Sequence, residues 1–426
     1  MLSGDSNWFG VKALEYMLLK QLMLRRLVDN MQIDVTDIEL NERISKLCCT
    51  INAKHSDWDT AIILSRVNQY YLTGTMQDGL LLLKRSGEVF YFARRSFERA
   101  VVESPLSCIY PMESYRDAAA VAGSELGKVL VETEIMTVGI IERLKKYFAI
   151  KEMVSLDNII FEVRAVKSPF ELYWMKESGK QHKKLLEEIV PSILREGMSE
   201  LDFTAELYEQ MLKTGFHGVS RFFRHQTEMI AGQIGFGENS LYPTNFDGPG
   251  GMRGMSAAVP ILGSRESLLK RGDLVFVDIG FGMNGYHSDR TQVYMFGGTP
   301  SDEVLKAHRK CMEVQSRTAA LLKPGNRPAQ IYESIMAELD EDFLQNFMGF
   351  GNRKVKFLGH GIGLHIDELP AIARGFDSPL LENMAIALEP KKGIPGVGMV
   401  GVEDTYIVTP EGGQLITGGE KDIIVI

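Results

Sequence analysis

With 426 residues, 45% of them hydrophobic and 24% charged, the chain has the composition of a globular protein large enough for two domains. A formal net charge of −9 argues against nucleic acid as the main partner, because phosphate binding needs basic surface. No uninterrupted apolar run approaches the ~18–20 residues of a membrane span, so no membrane partner is expected.

Residues 1–36 read as a helical extension. Lys12, Glu15, Lys20, Arg25 and Arg26 interrupt its apolar run, and no small-residue cleavage site follows, so it is not read as a signal peptide. Residues 37–164 alternate between helical and strand patterns. A helix is expected over Ile38–Asn52, then strands at Thr60–Leu64, Tyr70–Leu72, Gly79–Leu83 and Val89–Phe92. A helix at Ser96–Val102, a strand at Val129–Val131, a helix at Ile140–Tyr147 and a strand at Ile159–Glu162 complete a small α/β domain. Its clustered charge, Arg94-Arg95, reads as a solvated edge, and no constellation in it would carry a reaction. Cys48, Cys49, Cys108 and Cys311 lack disulfide spacing and read as reduced, buried thiols of a cytoplasmic protein.

A second domain, 165–426, opens on Ser168-Pro169-Phe170-Glu171, a capping box with proline at the first helical position. It predicts a long helix to about Arg195. Gly197 breaks that helix, and another runs to about Lys213. After the Gly- and Pro-rich segment 246–263 comes a hairpin, and after Thr299-Pro300 the plan repeats. Helices over about Ser301–Leu322 and Ala329–Phe347 are followed by strands at Met384–Pro390 and Met399–Thr409, joined by a Gly-rich loop. This weak duplication implies a pseudo-twofold domain.

The hairpin, Gly272 to Phe296, carries the chemistry. Two β-branched runs flank Gly282-Met283-Asn284-Gly285, a strong hairpin signal. With Met283-Asn284 as the loop, Asp278 and Asp289 face each other directly. With Asn284-Gly285 as the loop, they become diagonal neighbours on one face. Like charges so placed destabilise a strand pair, so a shared proton, a basic side chain or a cation must neutralise them. The repeated half supplies Glu389 and Glu403, and Gly359-His360-Gly361 between the halves presents an imidazole. Two Asp, two Glu and one His make an oxygen- and nitrogen-rich set suited to Mn, Co, Zn or Fe. Bridging carboxylates would set two such ions roughly 3.5 Å apart.

The motifs GDLVFVDIG…NGYHSD, GHGIGL, ALEP and GVEDTYIVT resemble those of the pita-bread metallopeptidases, which include Xaa-Pro aminopeptidase, prolidase and methionine aminopeptidase, with creatinase as a metal-free relative. The resemblance covers about 165–426, and NQYYLTG (68–74) looks like the creatinase/prolidase N-terminal domain. It implies an α/β protein with a creatinase-like N-terminal domain and a pita-bread C-terminal domain. It also implies two divalent ions (Mn, Co, Zn or Fe) held by Asp278, Asp289, His360, Glu389 and Glu403, with Asp289 and Glu403 bridging. Glu389 would also serve as general acid/base, and a homodimer is implied.

Three departures set this chain apart. Where the family usually places a second histidine after the ligand histidine stands Asp367, with His365 close by. Where an arginine usually precedes the last glutamate stands Gly401, and Ile261 takes the place of a substrate-contacting histidine. His365 and Asp367 are therefore candidates for catalysis and substrate binding, and His225 for lining the pocket. His55, His182, His217, His287 and His308 read as ordinary surface or half-buried residues.

The leading expectation is an Xaa-Pro peptidase-like enzyme that hydrolyses the N-terminal bond of small peptides by metal-hydroxide attack. The alternatives are a non-prolyl hydrolase of the same fold, an amidinohydrolase like creatinase, or a catalytically silent peptide-binding scaffold.

Overall fold

The structure, a computed structural model, describes residues 35–224, 227 and 229–426. Most of the expected N-terminal extension and the candidate His225 lie outside the described residues. The chain divides into two compact units, one up to Val163 and the other from Arg164.

In the first unit a six-stranded sheet runs in the order Ile109–Pro111, Val89–Ala93, Gly79–Lys84, Thr60–Ile63, Glu125–Val131, Ala149–Ser155. Its apolar face, including Ile62, Leu80, Leu82, Phe92 and Val129, packs against helices Tyr115–Ala122 and Val138–Lys145. Two expected strands are helices. Tyr70–Leu72 lies within helix Arg66–Thr73, which Ser65 caps through its hydroxyl and Gly74 ends in the left-handed region. Buried Gln69 on that helix donates to the carbonyls of Ile63 and Gly79, so one polar side chain satisfies two strand ends. Ile159–Glu162 belongs to helix Asp157–Ala165; a short apolar run carries no period of its own. Of the four thiols, all free, only Cys311 is buried; Cys49 is exposed, and Cys48 and Cys108 are half-buried.

The second unit begins as expected. Ser168 and Glu171 form the reciprocal capping box, with Pro169 in the first turn of helix Pro169–Lys184. The helix does not run unbroken to Arg195. Pro191 has no N–H to give, and the chain widens into a π turn, Leu185–Ile189, before a last short helix Val190–Ile193. Gly179 lets this helix come close to the backbone at Ile416; a Cβ there would lie 2.2 Å from that carbonyl oxygen.

Two sheets follow, each covered by its own helices. The first has the order Ile424–Val425, Tyr286–Met295, Leu274–Met283, Gly232–Phe236, and buries Val275, Val277, Ile279 and Phe281 against Leu185, Phe203, Leu207 and Met211. The second has the order Glu368–Ala373, Phe357–Gly361, Ala385–Leu388, Asp404–Thr409, Gly412–Leu415. Its core residues, Leu358, Ile386, Leu388, Tyr406 and Val408, meet Cys311, Val314 and Ile331 from helices Asp302–Ala320 and Pro328–Met336. The sheets touch where Thr291 bridges to Glu403. The stretch between Glu389 and Glu403 is not simply a loop: Lys391–Ile394 and Gly398–Gly401 pair as a short antiparallel ribbon. No helix among the described residues is long and apolar enough to cross a membrane.

Candidate metal centre

The hairpin register puts Asn284 and Gly285 in the turn, both at positive φ, and pairs Met283 with Tyr286. Asp278 therefore faces Thr291, and Asp289 faces Gly280, so the two aspartates are diagonal neighbours on one face. The Thr291 hydroxyl donates to Asp278 at 2.6 Å, which fixes that carboxylate's orientation. Asp289 is held through its backbone, whose N–H donates to the Thr405 hydroxyl at 2.9 Å.

His360 lies on a strand squeezed between two neighbours. A Cβ at Gly359 would stand 2.1 Å from the Ala387 carbonyl, and one at Gly361 would stand 2.6 Å from that of Leu369, so only glycine fits on either side. The His360 Nδ1 lies 3.0 Å from the Gly361 carbonyl, an arrangement that assigns the proton to Nδ1. Its Nε2 then faces Glu389 Oε1 at 3.6 Å and Glu403 Oε1 at 3.7 Å. Donor atoms of Asp289, His360 and Glu403 all fall within 4.8 Å of one another. Glu403 Oε1 is buried and has no hydrogen-bond partner among the described residues, a state that disfavours a carboxylate oxygen unless a cation completes it.

The acids do not titrate independently. Burial, then the Glu403 charge, pushes Glu389 and Asp289 upward, while Asp278 is raised chiefly by burial against the pull of Lys391. Glu403 goes the other way: burial would raise it, but Lys391 and His360 hold it well below the usual range. His360 is lowered by burial and raised more strongly by Glu403, Glu389 and Asp289, to about 10.

The residue that sequence reasoning missed is Lys391. Its ammonium, fully buried, donates to Asp278 Oδ2 at 2.9 Å, Glu389 Oε2 at 2.9 Å and Glu403 Oε2 at 2.6 Å. Of the three neutralisers that a pair of facing acids admits, a basic side chain is thus present. Its side chain enters from the first residue of strand Lys391–Ile394, two residues after Glu389.

The remaining candidates are not among the donor atoms of that cluster. His365 is buried beside Arg164, whose Nη2 lies 3.1 Å from its Nδ1, and its ring packs near Phe223. Glu368 is buried between Arg164 and Lys167 and accepts the His365 N–H. Asp367 accepts the Phe223 N–H at 3.0 Å. Three of the histidines expected near the surface are buried structural groups: His182 contacts Ser288, His287 contacts the Gly363 carbonyl, and His308 contacts the Lys421 carbonyl. Each fills a polar gap in the core that an apolar side chain would leave unsatisfied.

Residues 174–410 match metallopeptidase family M24, and residues 43–166 match the Creatinase/Prolidase N-terminal domain. The chain belongs to metallopeptidase family M24. As an M24 member it is a hydrolase that uses divalent metal, and its mixed α/β architecture joins a creatinase-type N-terminal domain to an M24 C-terminal domain. It is 25% identical over 393 residues to the Xaa-Pro dipeptidase of Pyrococcus furiosus, covering 90% of this chain and all of the relative (100%). In fold it is similar to the prolidase of Pyrococcus horikoshii, with a TM-score of 0.73 at 23% identity, over 90% of this chain and 100% of that one. The N-terminal domain of the FACT complex subunit SPT16 from chickpea shares the fold at 14% identity, with a TM-score of 0.67 over 91% of this chain and 98% of that one.

Proposed function

We propose that this M24 member is an exopeptidase that hydrolyses the N-terminal peptide bond of small peptides, with Xaa-Pro sequences as the first substrate class. The observation that carries this reading is Glu403 Oε1, which has no hydrogen-bond partner among the described residues and faces His360 within the Asp289–His360–Glu403 cluster. Those three residues fit a divalent ion (Mn, Co, Zn or Fe), with oxygen and nitrogen donors of the right kind. When bound, such an ion polarises a carbonyl and makes water a competent nucleophile at neutral pH.

The chain's own residues supply the rest. Glu389 stands beside His360 with a carboxyl raised by burial and by Glu403, so it can accept a proton from the attacking water and deliver it to the departing amine. The Thr291 hydroxyl sets the orientation of the Asp278 carboxylate, and the Thr405 hydroxyl holds the Asp289 backbone. We assign Asp367 to the substrate's free amine. Burial raises its carboxyl, and the Phe223 N–H fixes it. For His365 a positioning role fits better than catalysis, since its ring is committed to Arg164 and Phe223. The two ions that the resemblance implies would have to share these acids with Lys391. A cytoplasmic homodimer is the assembly and compartment that go with the reading.

The test is a panel of Xaa-Pro dipeptides, Xaa-Pro-Yaa peptides and non-prolyl peptides, each free or acetylated at the N-terminus, assayed with each metal and with a chelator. Release of the first residue from free peptides only, abolished by the chelator, is expected. Absence of cleavage across the whole panel in metal-loaded protein would remove the exopeptidase reading.

A further inference from the structure

We infer that the Lys391 ammonium occupies one of the two cation positions of this centre, so that the protein binds a single divalent ion per chain, at Asp289, His360 and Glu403. The inference concerns the same site as the exopeptidase reading and rests on its being a metal centre.

The position of the side chain follows from the backbone. Lys391 pairs with Gly401 on one side, and its carbonyl accepts the Met348 N–H on the other, so the strand is pinned from both edges. Successive strand residues point to opposite faces. Lys392 accordingly turns outward, where its ammonium donates to the carbonyls of Asp342, Phe343 and Gln345. Lys391 turns inward beside Glu389, and the Phe276 ring lies 6.0 Å from its ammonium. Of two adjacent lysines, the sheet itself selects which one enters the centre.

The ammonium and a metal ion would compete for the same oxygens. Lys391 uses Asp278 Oδ2, Glu389 Oε2 and Glu403 Oε2, all within 2.9 Å. A divalent ion binds carboxylate oxygen at roughly 2.0–2.2 Å, so an ion drawn to these oxygens would compete with the Nζ that they already hold. Glu403 divides its oxygens accordingly: Oε2 accepts from Lys391, and Oε1, on the His360 side, has no hydrogen-bond partner among the described residues. It would thereby serve the ammonium with one oxygen and leave the other for a metal ion.

Charge counting agrees. Four carboxylates and one ammonium leave three negative charges when His360 is neutral. One divalent ion reduces this to a single negative charge. A second divalent ion would reverse the sign before substrate arrives.

The experiment is metal stoichiometry. Purified full-length protein is stripped with chelator, titrated with Mn²⁺ by calorimetry, and analysed for metal per chain after gel filtration; electron paramagnetic resonance then reports whether bound Mn²⁺ is isolated or spin-coupled. One ion per chain with an isolated-ion spectrum is expected. Lys391→Ala, which vacates the position, should take up two ions with a coupled spectrum; should it fail to fold, Lys391→Ser is the second variant, and the wild-type count stands alone. Two ions in the wild type, none at all, or a folded Lys391→Ala that still takes up one would each overturn the inference. One bound ion without peptide cleavage would refute the exopeptidase reading and leave the inference standing; two ions with cleavage would do the reverse.

Discussion

Gly401 lies directly across the strand pair from Lys391, and a Cβ built on it would stand 2.6 Å from the Lys391 Cα and 2.4 Å from the Pro390 carbonyl oxygen. Its φ of 132° is one that side-chain-bearing residues rarely adopt, and its N–H donates to His308 Nδ1 at 3.2 Å. Where the family usually carries arginine, this chain has no room for a side chain at all. The positive charge enters instead from the facing strand. Gly401→Ala should destabilise the protein by about 2 kcal/mol or more, combining backbone strain with overpacking. Urea denaturation checks this; a variant as stable as the wild type would mean that the ribbon relaxes freely.

Asp289→Asn tests the ion-binding cluster. Asparagine keeps the side chain's size and leaves the backbone bond to Thr405 intact, so circular dichroism and melting should change little. Metal binding and hydrolysis should fall to background, because one of three donors loses its charge. Wild-type turnover in this variant would remove Asp289 from the site.

The difference between these two residues shows what a sequence can yield. Asp289 was legible because a hairpin with an Asn-Gly turn fixes which residues share a face, and the structure has the diagonal register. The capping box at Ser168 was legible for the same reason, since its geometry is local. Lys391 was not, because glycines at 393, 396 and 398 read as a loop, and a loop has no alternating faces. The ribbon that gives Lys391 its face is held by contacts distant in sequence, such as Met348 and His308. The buried histidines escaped for a related reason: imidazole is polar enough to read as surface, and only tertiary contacts show which backbone groups it satisfies.

Thr291→Val should leave the fold intact and weaken Mn²⁺ binding by roughly tenfold. The hydroxyl donates to Asp278 and lies 3.3 Å from Glu403 Oε2, so its loss frees two carboxylates to rotate. Valine has nearly the same shape, which confines the change to the hydrogen bond. Calorimetric titration reads the affinity; an unchanged value would show that Lys391 alone orients these acids.

Glu368→Gln should destabilise the protein by about 3–5 kcal/mol, the usual consequence of removing one partner from a buried charge cluster. Burial would raise the Glu368 carboxyl, but Arg164 and Lys167 overcome that and hold it well below the carboxylate range. Glutamine would leave both cations buried without their shared anion. The effect belongs to stability, so metal content per folded chain should be unchanged, and loss of metal at full stability would contradict this assignment.

Mild acid should destabilise the protein through His287 and His217. His287 Nδ1 lies 3.0 Å from the Gly363 carbonyl, which assigns it the proton, and its Nε2 lies 3.2 Å from His217 Nε2 and accepts from the Arg221 N–H. His217 Nδ1 accepts the Gly285 N–H, so both rings are neutral, and a further proton on either would face a donor. Burial is the largest cause that lowers them, to about 4 for His287 and about 3 for His217. Both values lie below the ordinary 6.5, so between pH 6.5 and about 4 the unfolded chain takes up protons that the folded chain refuses. Stability from these groups is complete above the unfolded value and is lost as pH falls toward the folded one. For His287 the full effect is on the order of 3 kcal/mol. The acids of the metal centre, raised in the folded state, push stability the opposite way, so the measurement is a difference. Urea midpoints of wild type and His287→Gln, taken from neutral pH to about 4, should converge as the pH drops, because only the wild type has this stability to lose. Parallel curves would mean that His287 is protonated in the folded protein after all.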